Sequence, residues 1–255
     1  MVDSSKCLRV LCVIPARYGS TRFPGKPLAK IDGREMILRV CDQVSKCLNL
    51  VGFLVATDDD RIYDLVKSAG FEALLTSDQH ATGTDRLAEV ASLRDEDYFL
   101  NLQGDEPMID PQVLDEFVSV SLEQGNKYSL ATLCSPITRI EEIQNPNIVK
   151  VVRDKAGKAL YFSRAPIPFP RDGFQCVESQ IGMRHVGIYL YARDTLLSYP
   201  SLPHSSLENV EKLEQLRIME DGGSIFVWKV KETWPGVDTP EDLKFVEAML
   251  KGEKK

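Results

Sequence analysis

Val13-Ile-Pro-Ala-Arg-Tyr-Gly-Ser-Thr-Arg-Phe-Pro-Gly-Lys-Pro-Leu28 begins as the end of an apolar run and breaks into a loop dense in glycine, hydroxyl groups and cations. A strand that empties into such a loop is the start of an α/β chain whose first turn holds phosphate. Small residues let backbone N–H groups approach an anion, and Ser20 and Thr21 add donors. Arg17, Arg22 and Lys26 bring three positive charges within ten residues. The bland alternative is an ordinary basic surface loop. The spacing fits neither G-x-x-x-x-G-K-[ST], because Pro27 follows Lys26, nor G-x-G-x-x-G, so a P-loop ATPase and a Rossmann dehydrogenase are both disfavoured.

Charge concentrates at this loop. Residues 1–40 carry eight Lys/Arg against three Asp/Glu, a local +5 in a chain of 255 residues whose net charge is −7. That balance argues against broad nucleic-acid binding and leaves room for a small anionic ligand. With 43% hydrophobic and 27% charged residues the chain has ordinary globular composition and is long enough for a large core. The six cysteines, at 7, 12, 41, 47, 134 and 176, form no C-x-x-C pair, so no zinc site is expected. No segment reaches the ~18 apolar residues that span a bilayer. A soluble, cytoplasmic protein in a reducing compartment is the expectation.

Outward from the loop, short apolar runs alternate with amphipathic stretches, the pattern of parallel strands covered by crossover helices. Strands are expected at Leu8–Ile14, Gly52–Ala56, Glu72–Leu75, Tyr98–Leu102 and Ser129–Leu133. Helices are expected at Met36–Cys47, Asp59–Ala69, Thr84–Arg94 and Pro111–Gln124. This is a nucleotide-binding core over residues 1–135. A smaller β-containing lobe over 136–207 follows, with strands at Val149–Arg153, Ala159–Phe162 and Arg184–Ala192, interrupted by prolines at 166, 168 and 170. Residues 208–255 return to the core through a helix at Glu208–Glu220, a strand at Ser224–Val230 and a last helix at Thr239–Lys251, with Thr239 as N-cap and Pro240 at the first position.

Three acidic positions invite a metal reading. Asp105 and Glu106, in Asn101-Leu-Gln-Gly-Asp-Glu-Pro107, lie just past the carboxyl end of a strand, where open α/β sheets bind ligands. Hard oxygen ligands suit Mg²⁺ together with substrate phosphates; a plain turn with an acidic helix start is the competing reading. Asp238, at a strand-to-helix junction, is either a second carboxylate ligand or a capping residue. Pattern alone also leaves His185 as a structural histidine and Tyr189 as core packing. His80 and His204 read as solvated, and Glu208 to Arg217 as a charged helix face.

The motifs taken together carry a resemblance. Ile14-Pro-Ala-Arg-Tyr-Gly-Ser-Thr-Arg-Phe-Pro-Gly-Lys-Pro-Leu28, Ala56-Thr-Asp-Asp59, Gly83-Thr-Asp-Arg86, Gln103-Gly-Asp-Glu-Pro107, Ala159-Leu-Tyr-Phe-Ser-Arg164, Arg184-His-Val-Gly-Ile-Tyr189, Leu213-Glu-Gln-Leu-Arg217 and Val237-Asp-Thr-Pro-Glu-Asp242 occur in order along the chain. The chain closely resembles the 3-deoxy-manno-octulosonate cytidylyltransferase (CMP-Kdo synthetase) family. At Gly83-Thr-Asp-Arg86 it carries Asp where many of those relatives carry Glu.

The resemblance implies a Rossmann-like nucleotidyltransferase: a mostly parallel central sheet with a smaller β-containing lobe for substrate and dimerisation. It implies transfer of CMP from CTP to the sugar acid Kdo, with release of pyrophosphate, for lipopolysaccharide assembly. Arg17, Ser20, Thr21, Arg22 and Lys26 would hold the phosphates, with Thr84 and Arg86 near the cytidine and Gln103 close to both substrates. Asp105 and Asp238 would bind Mg²⁺, and Arg17, Lys26 and Asp105 would serve the chemistry directly. Arg164, His185, Tyr189, Glu214 and Gln215 would line the sugar-acid pocket. A homodimer with no nucleic-acid or membrane partner is expected. The alternatives are 8-amino-Kdo or a sialic acid as acceptor and, in a different class, a non-catalytic nucleotide-binding regulator.

Overall fold

Val10–Ala16 forms β1, the inner strand of a parallel sheet, in the computed structural model of the chain, which describes residues 8–19, 23–80, 82–174 and 180–252. Leu11, Cys12, Val13 and Ile14 are all fully buried, as a strand covered on both faces requires. Between β1 and the first long helix, β2 (Lys30–Ile31) and β3 (Arg34–Glu35) close a two-residue hairpin on Asp32 and Gly33, both at positive φ. Then follow α1 (Met36–Val44), β4 (Gly52–Thr57), α2 (Asp60–Ser68), β5 (Ala73–Leu75), α3 (Gly83–Leu93) and β6 (Tyr98–Asn101). The strands pair in the order β6-β1-β4-β5, every pairing parallel. Helices must therefore cross between them. Because β4 and β5 extend the sheet to one side of β1 and β6 to the other, the strand order reverses between β1 and β6. A crevice opens at the carboxyl ends of such a pair.

The chain divides into two compact units. The first holds the residues through Glu116, Ala192–Leu197 and the residues from Trp234 onward. The second holds Phe117–Tyr191 and Ser198–Thr233. α4 (Pro111–Glu123) leads into the second unit, which contains β7 (Leu130–Ile137), α5 (Ile140–Gln144), β8 (Lys150–Arg153), β9 (Ala159–Ser163) and most of β10 (Gly182–Ala192). After α6 (Arg193–Ser198) come α7 (Ser206–Glu211), α8 (Gln215–Glu220) and β11 (Ile225–Lys229), and α9 (Pro240–Leu250) closes the first unit. In the second unit β7 runs parallel to β11 and antiparallel to β10, while β8 and β9 pair antiparallel, with β8 joined to β10 at Lys150 and Arg184.

Two local departures from the expected pattern bear on function. The helix expected over Glu208–Glu220 is two short helices, because Lys212 takes a left-handed conformation (φ 53°) that ends α7 and restarts the chain at Glu214. In β10, Gly187 and Ile188 bulge out of the ladder between Val186, opposite Leu133, and Tyr189, opposite Thr132. The remaining boundaries shift by a few residues, as helix and strand ends do. No helix of the described residues is long and apolar enough to cross a membrane.

Candidate active site

The crevice beside β1 is a cleft of about 260 Å³, lined among others by Arg17, Lys26, Gly83, Gln103, Gly104 and Asp105. Gly104 is required by the approach of its loop to β1. A Cβ there would stand 3.2 Å from the Pro15 carbonyl and 3.3 Å from Ile37. Gly25, at φ 73°, lets the chain turn under Tyr18 into the short 3₁₀ turn that carries Lys26. The Lys26 ammonium donates to Asp105 Oδ2 at 2.6 Å and to Asp238 Oδ1 at 3.4 Å. The latter two come from opposite ends of the first unit. The Val237 N–H donates to the Asp105 carbonyl at 2.9 Å, and Val237 is itself buried with Ile31, Met36 and Val246. A buried valine of this kind contributes about 1.5–2 kcal/mol, so the segment bearing Asp238 is anchored as well as bonded.

Asp105 and Asp238 thus face one point, and that point already holds a positive charge. Two carboxylates so placed match the donor set of a hard divalent ion that completes its shell with water and phosphate oxygens. Among the described residues no group of three or more His, Cys, Asp or Glu side chains could hold a metal by itself. Beside them, the Glu106 carboxyl is pushed up to about 8 by its burial and by the Asp105 charge.

Arg17 donates to the Thr82 carbonyl at 2.8 Å and so ties the first loop to the start of α3. Thr82 caps that helix in a reciprocal box. Its hydroxyl accepts from the Asp85 N–H at 3.1 Å, and the Asp85 carboxylate accepts from the Thr82 N–H at 3.1 Å. The Asp that replaces the more usual Glu of the Gly-Thr-x-Arg motif is therefore a helix cap. Thr84 is buried in the first turn of α3. Arg86 is fully buried beneath it, donating to Asp58 at 2.5 Å and to the Thr76 hydroxyl. Ser20, Thr21 and Arg22 lie outside the described residues.

The second unit brings the other group together. The Tyr189 hydroxyl donates to Gln215 Oε1 at 3.2 Å, and the rings of His185 and Tyr189 lie 5.4 Å apart. Gln215 is buried at the start of α8, and its Nε2 has no acceptor among the described residues. A buried amide N–H₂ without an acceptor carries a desolvation cost that a ligand oxygen would relieve. Glu214 is the N-cap of the same helix. Arg164 donates to three backbone carbonyls, Glu211 at 2.7 Å, Pro146 at 3.0 Å and Lys212 at 3.4 Å, and thereby holds the turn that presents Glu214 and Gln215. The guanidinium has five N–H donors, so this tethering leaves others for a ligand.

Elsewhere in each unit, side chains with the pattern of solvated residues have specific partners. Glu208 and Arg217 form a buried ion pair at 2.5 Å, and Arg217 lies over the Tyr199 ring. The Asp242 carboxylate is the far half of the Thr239 cap. His80 pairs with Glu89, whereas His204 stays largely exposed beside Glu208 and Arg217. The second unit also contains a fully buried Lys150, whose ammonium donates to the carbonyls of Asn145, Ile148 and Arg164. Burial, then the Arg164 charge, lowers its pKa.

The cytidylyltransferase family profile matches residues 11–229. Over 96% of the chain and the whole of the relative, the sequence is 48% identical to the 3-deoxy-manno-octulosonate cytidylyltransferase of Syntrophotalea carbinolica. The chain belongs to the 3-deoxy-manno-octulosonate cytidylyltransferase family. A solved structure of CMP:2-keto-3-deoxy-manno-octonic acid synthetase complexed with CTP superposes with a TM-score of 0.89 at 43% identity, covering 96% of this chain and all of the other. The 8-amino-3,8-dideoxy-manno-octulosonate cytidylyltransferase of Shewanella pealeana is 45% identical over 95% of this chain and 99% of its own length.

Within this cytidylyltransferase, the sequence did not reveal the supporting residues. Asp58 pairs with Arg86, 28 residues on, and Thr132 with His185, 53 residues on, so neither role shows in the local pattern. Lys150 alone carried a hint, as a lysine within an apolar strand pattern.

Proposed function

We propose that the protein transfers CMP from CTP to the anomeric hydroxyl of Kdo in a Mg²⁺-dependent reaction. The observation that carries this reading is the meeting of Lys26, Asp105 and Asp238 in the cleft at the strand-order reversal. Membership of the cytidylyltransferase family supports CTP as the nucleotide. The acceptor oxygen forms a bond to the α-phosphorus, the bond from that phosphorus to the bridging β-phosphate oxygen breaks, and the hydroxyl proton is released with pyrophosphate as leaving group. Such a displacement needs alignment and stabilised phosphate charge more than covalent help.

Arg17 and Lys26 carry positive charge to the phosphates, with Ser20, Thr21 and Arg22 adding donors from the same loop. Thr84 and Arg86 frame the cytidine, and Gln103 serves both substrates. Asp105 and Asp238 hold Mg²⁺, which when bound neutralises phosphate charge. With that ion held, Lys26, which here bonds both carboxylates, would pair with phosphate oxygens instead. Arg164, His185, Tyr189, Glu214 and Gln215 bind the sugar acid, and the unpartnered Gln215 amide is the strongest support for that assignment. We also infer a cytoplasmic homodimer whose product supplies lipopolysaccharide assembly.

The test is pyrophosphate release from CTP and Mg²⁺ with Kdo, 8-amino-Kdo, a sialic acid or no sugar. Release that depends on Kdo is the expected result. Release with 8-amino-Kdo alone would move the acceptor to the one named for the Shewanella pealeana enzyme. CTP binding without release under any condition would make the protein a nucleotide-binding regulator. Omitting Mg²⁺ tests the metal, and sedimentation tests the dimer.

A further inference from the structure

The β10 bulge leaves backbone carbonyls turned away from the ladder, and one hydroxyl meets them. Thr132, fully buried on β7, lies 2.7 Å from the Ile188 carbonyl, 3.1 Å from the Val186 carbonyl and 2.9 Å from His185 Nε2. A hydroxyl has a single proton and two lone pairs. The carbonyls can only accept, so the Thr132 proton goes to them, with Ile188 the shorter contact. The contact with His185 then closes only if Nε2 carries hydrogen and donates into a lone pair of the Thr132 oxygen. A bare Nε2 would confront that oxygen lone pair to lone pair. The imidazole is therefore the Nε2–H tautomer as long as it is neutral. Burial keeps it neutral by moving its pKa down to about 3. Phe162 packs edge-on against the ring at 5.0 Å and Tyr189 at 5.4 Å, fixing its plane. Nδ1 has no hydrogen-bond partner among the described residues.

We propose that Thr132 is a positioning residue for acceptor recognition: its hydroxyl holds His185 as the Nε2–H tautomer, so that the ring offers a bare Nδ1 to a hydroxyl group of the sugar acid. The second half of this inference rests on the acceptor reading given above; the first half does not. A ring in this state has one acceptor and no free donor. It selects an O–H group and turns away the carboxylate of the same ligand, leaving the carboxylate to the donors of Arg164 and Gln215. The two carbonyls that orient the Thr132 proton, Val186 and Ile188, flank and form the bulge in the β10 register.

Long-range ¹H–¹⁵N correlation spectra of the ¹⁵N-labelled full chain read the tautomer directly. The chain has three histidines, and H185N assigns the signal. The expected wild-type spectrum shows a neutral His185 protonated at Nε2, unchanged from about pH 5 to pH 9. T132V should lose that single tautomer and raise the KM for Kdo by about tenfold, the loss of one hydrogen bond, with the KM for CTP within about twofold. T132S should restore both. A wild-type ring protonated at Nδ1 overturns the proposal, as does a T132V ring that keeps the wild-type tautomer. If T132V does not fold, the wild-type and T132S spectra decide. The expected tautomer in a protein inactive with every sugar acid would sustain the Thr132–His185 pairing and overturn the acceptor role.

Discussion

The Lys26 ammonium sits 2.6 Å from the Asp105 carboxylate, 79 residues away in sequence, and 3.4 Å from the Asp238 carboxylate. If Asp105 and Asp238 hold a divalent ion as proposed, lysine and metal compete for the same oxygens. The K26M variant should bind Mn²⁺ about five- to tenfold more tightly than the wild type without nucleotide, since the displaced pair is a partly buried charge-assisted bond. Electron paramagnetic resonance of free Mn²⁺ measures this. Equal affinity in the two proteins would separate Lys26 from the ion site.

Asp105 contributes its side chain to the site and its carbonyl to the fold, through the Val237 N–H. Replacing the side chain leaves the carbonyl in place. D105N should lower kcat by roughly 10³-fold, the scale of one lost electrostatic contact to a transferring phosphoryl group, while stability to urea changes by about 1 kcal/mol or less. Unchanged turnover would remove Asp105 from the chemistry.

His185 gives a pH dependence whose sign is fixed. Its pKa falls from 6.5 unfolded to about 3 folded, so below 6.5 the unfolded chain binds the proton and the folded chain does not. The contribution is complete above pH 6.5 and is lost as pH falls toward 3. Between pH 7 and pH 5 it amounts to about 2 kcal/mol. Urea titrations should show the wild type losing that much more stability than H185N across the interval. Parallel losses would mean the ring is protonated in the fold.

Arg86 is buried against Asp58 and Thr76. R86M leaves the partly exposed Asp58 carboxylate without its cation and should cost about 1–3 kcal/mol in urea unfolding. D58N/R86M together should recover part of that loss, a coupling that a double-mutant cycle quantifies.

Sequence reading succeeded where the physics is local. An apolar run such as Val10–Ile14 can only be a strand buried on both faces, and Thr239-Pro240 announces a helix start by capping chemistry alone. The resemblance also named Lys26, Asp105 and Asp238 among the site residues, and the three meet in the structure. Sequence reading failed where the deciding partner is remote. Glu208 and Arg217 have the spacing of a solvated helix face, yet the helix breaks at Lys212 and folds them onto each other. The bulge that puts Thr132 beside His185 left no trace beyond one glycine in an otherwise regular strand. His80 looked solvated because Glu89, its partner, belongs to the following helix.

The bond from the Val237 N–H to the Asp105 carbonyl has a bearing on the newborn protein. Lys26 and Asp238 are 212 residues apart, so in a polypeptide still being translated Lys26 and Asp105 emerge long before Asp238. The cluster of Lys26, Asp105 and Asp238 is complete only once the segment at Val237 has bonded to the Asp105 carbonyl, so the two ends of the sequence close it together.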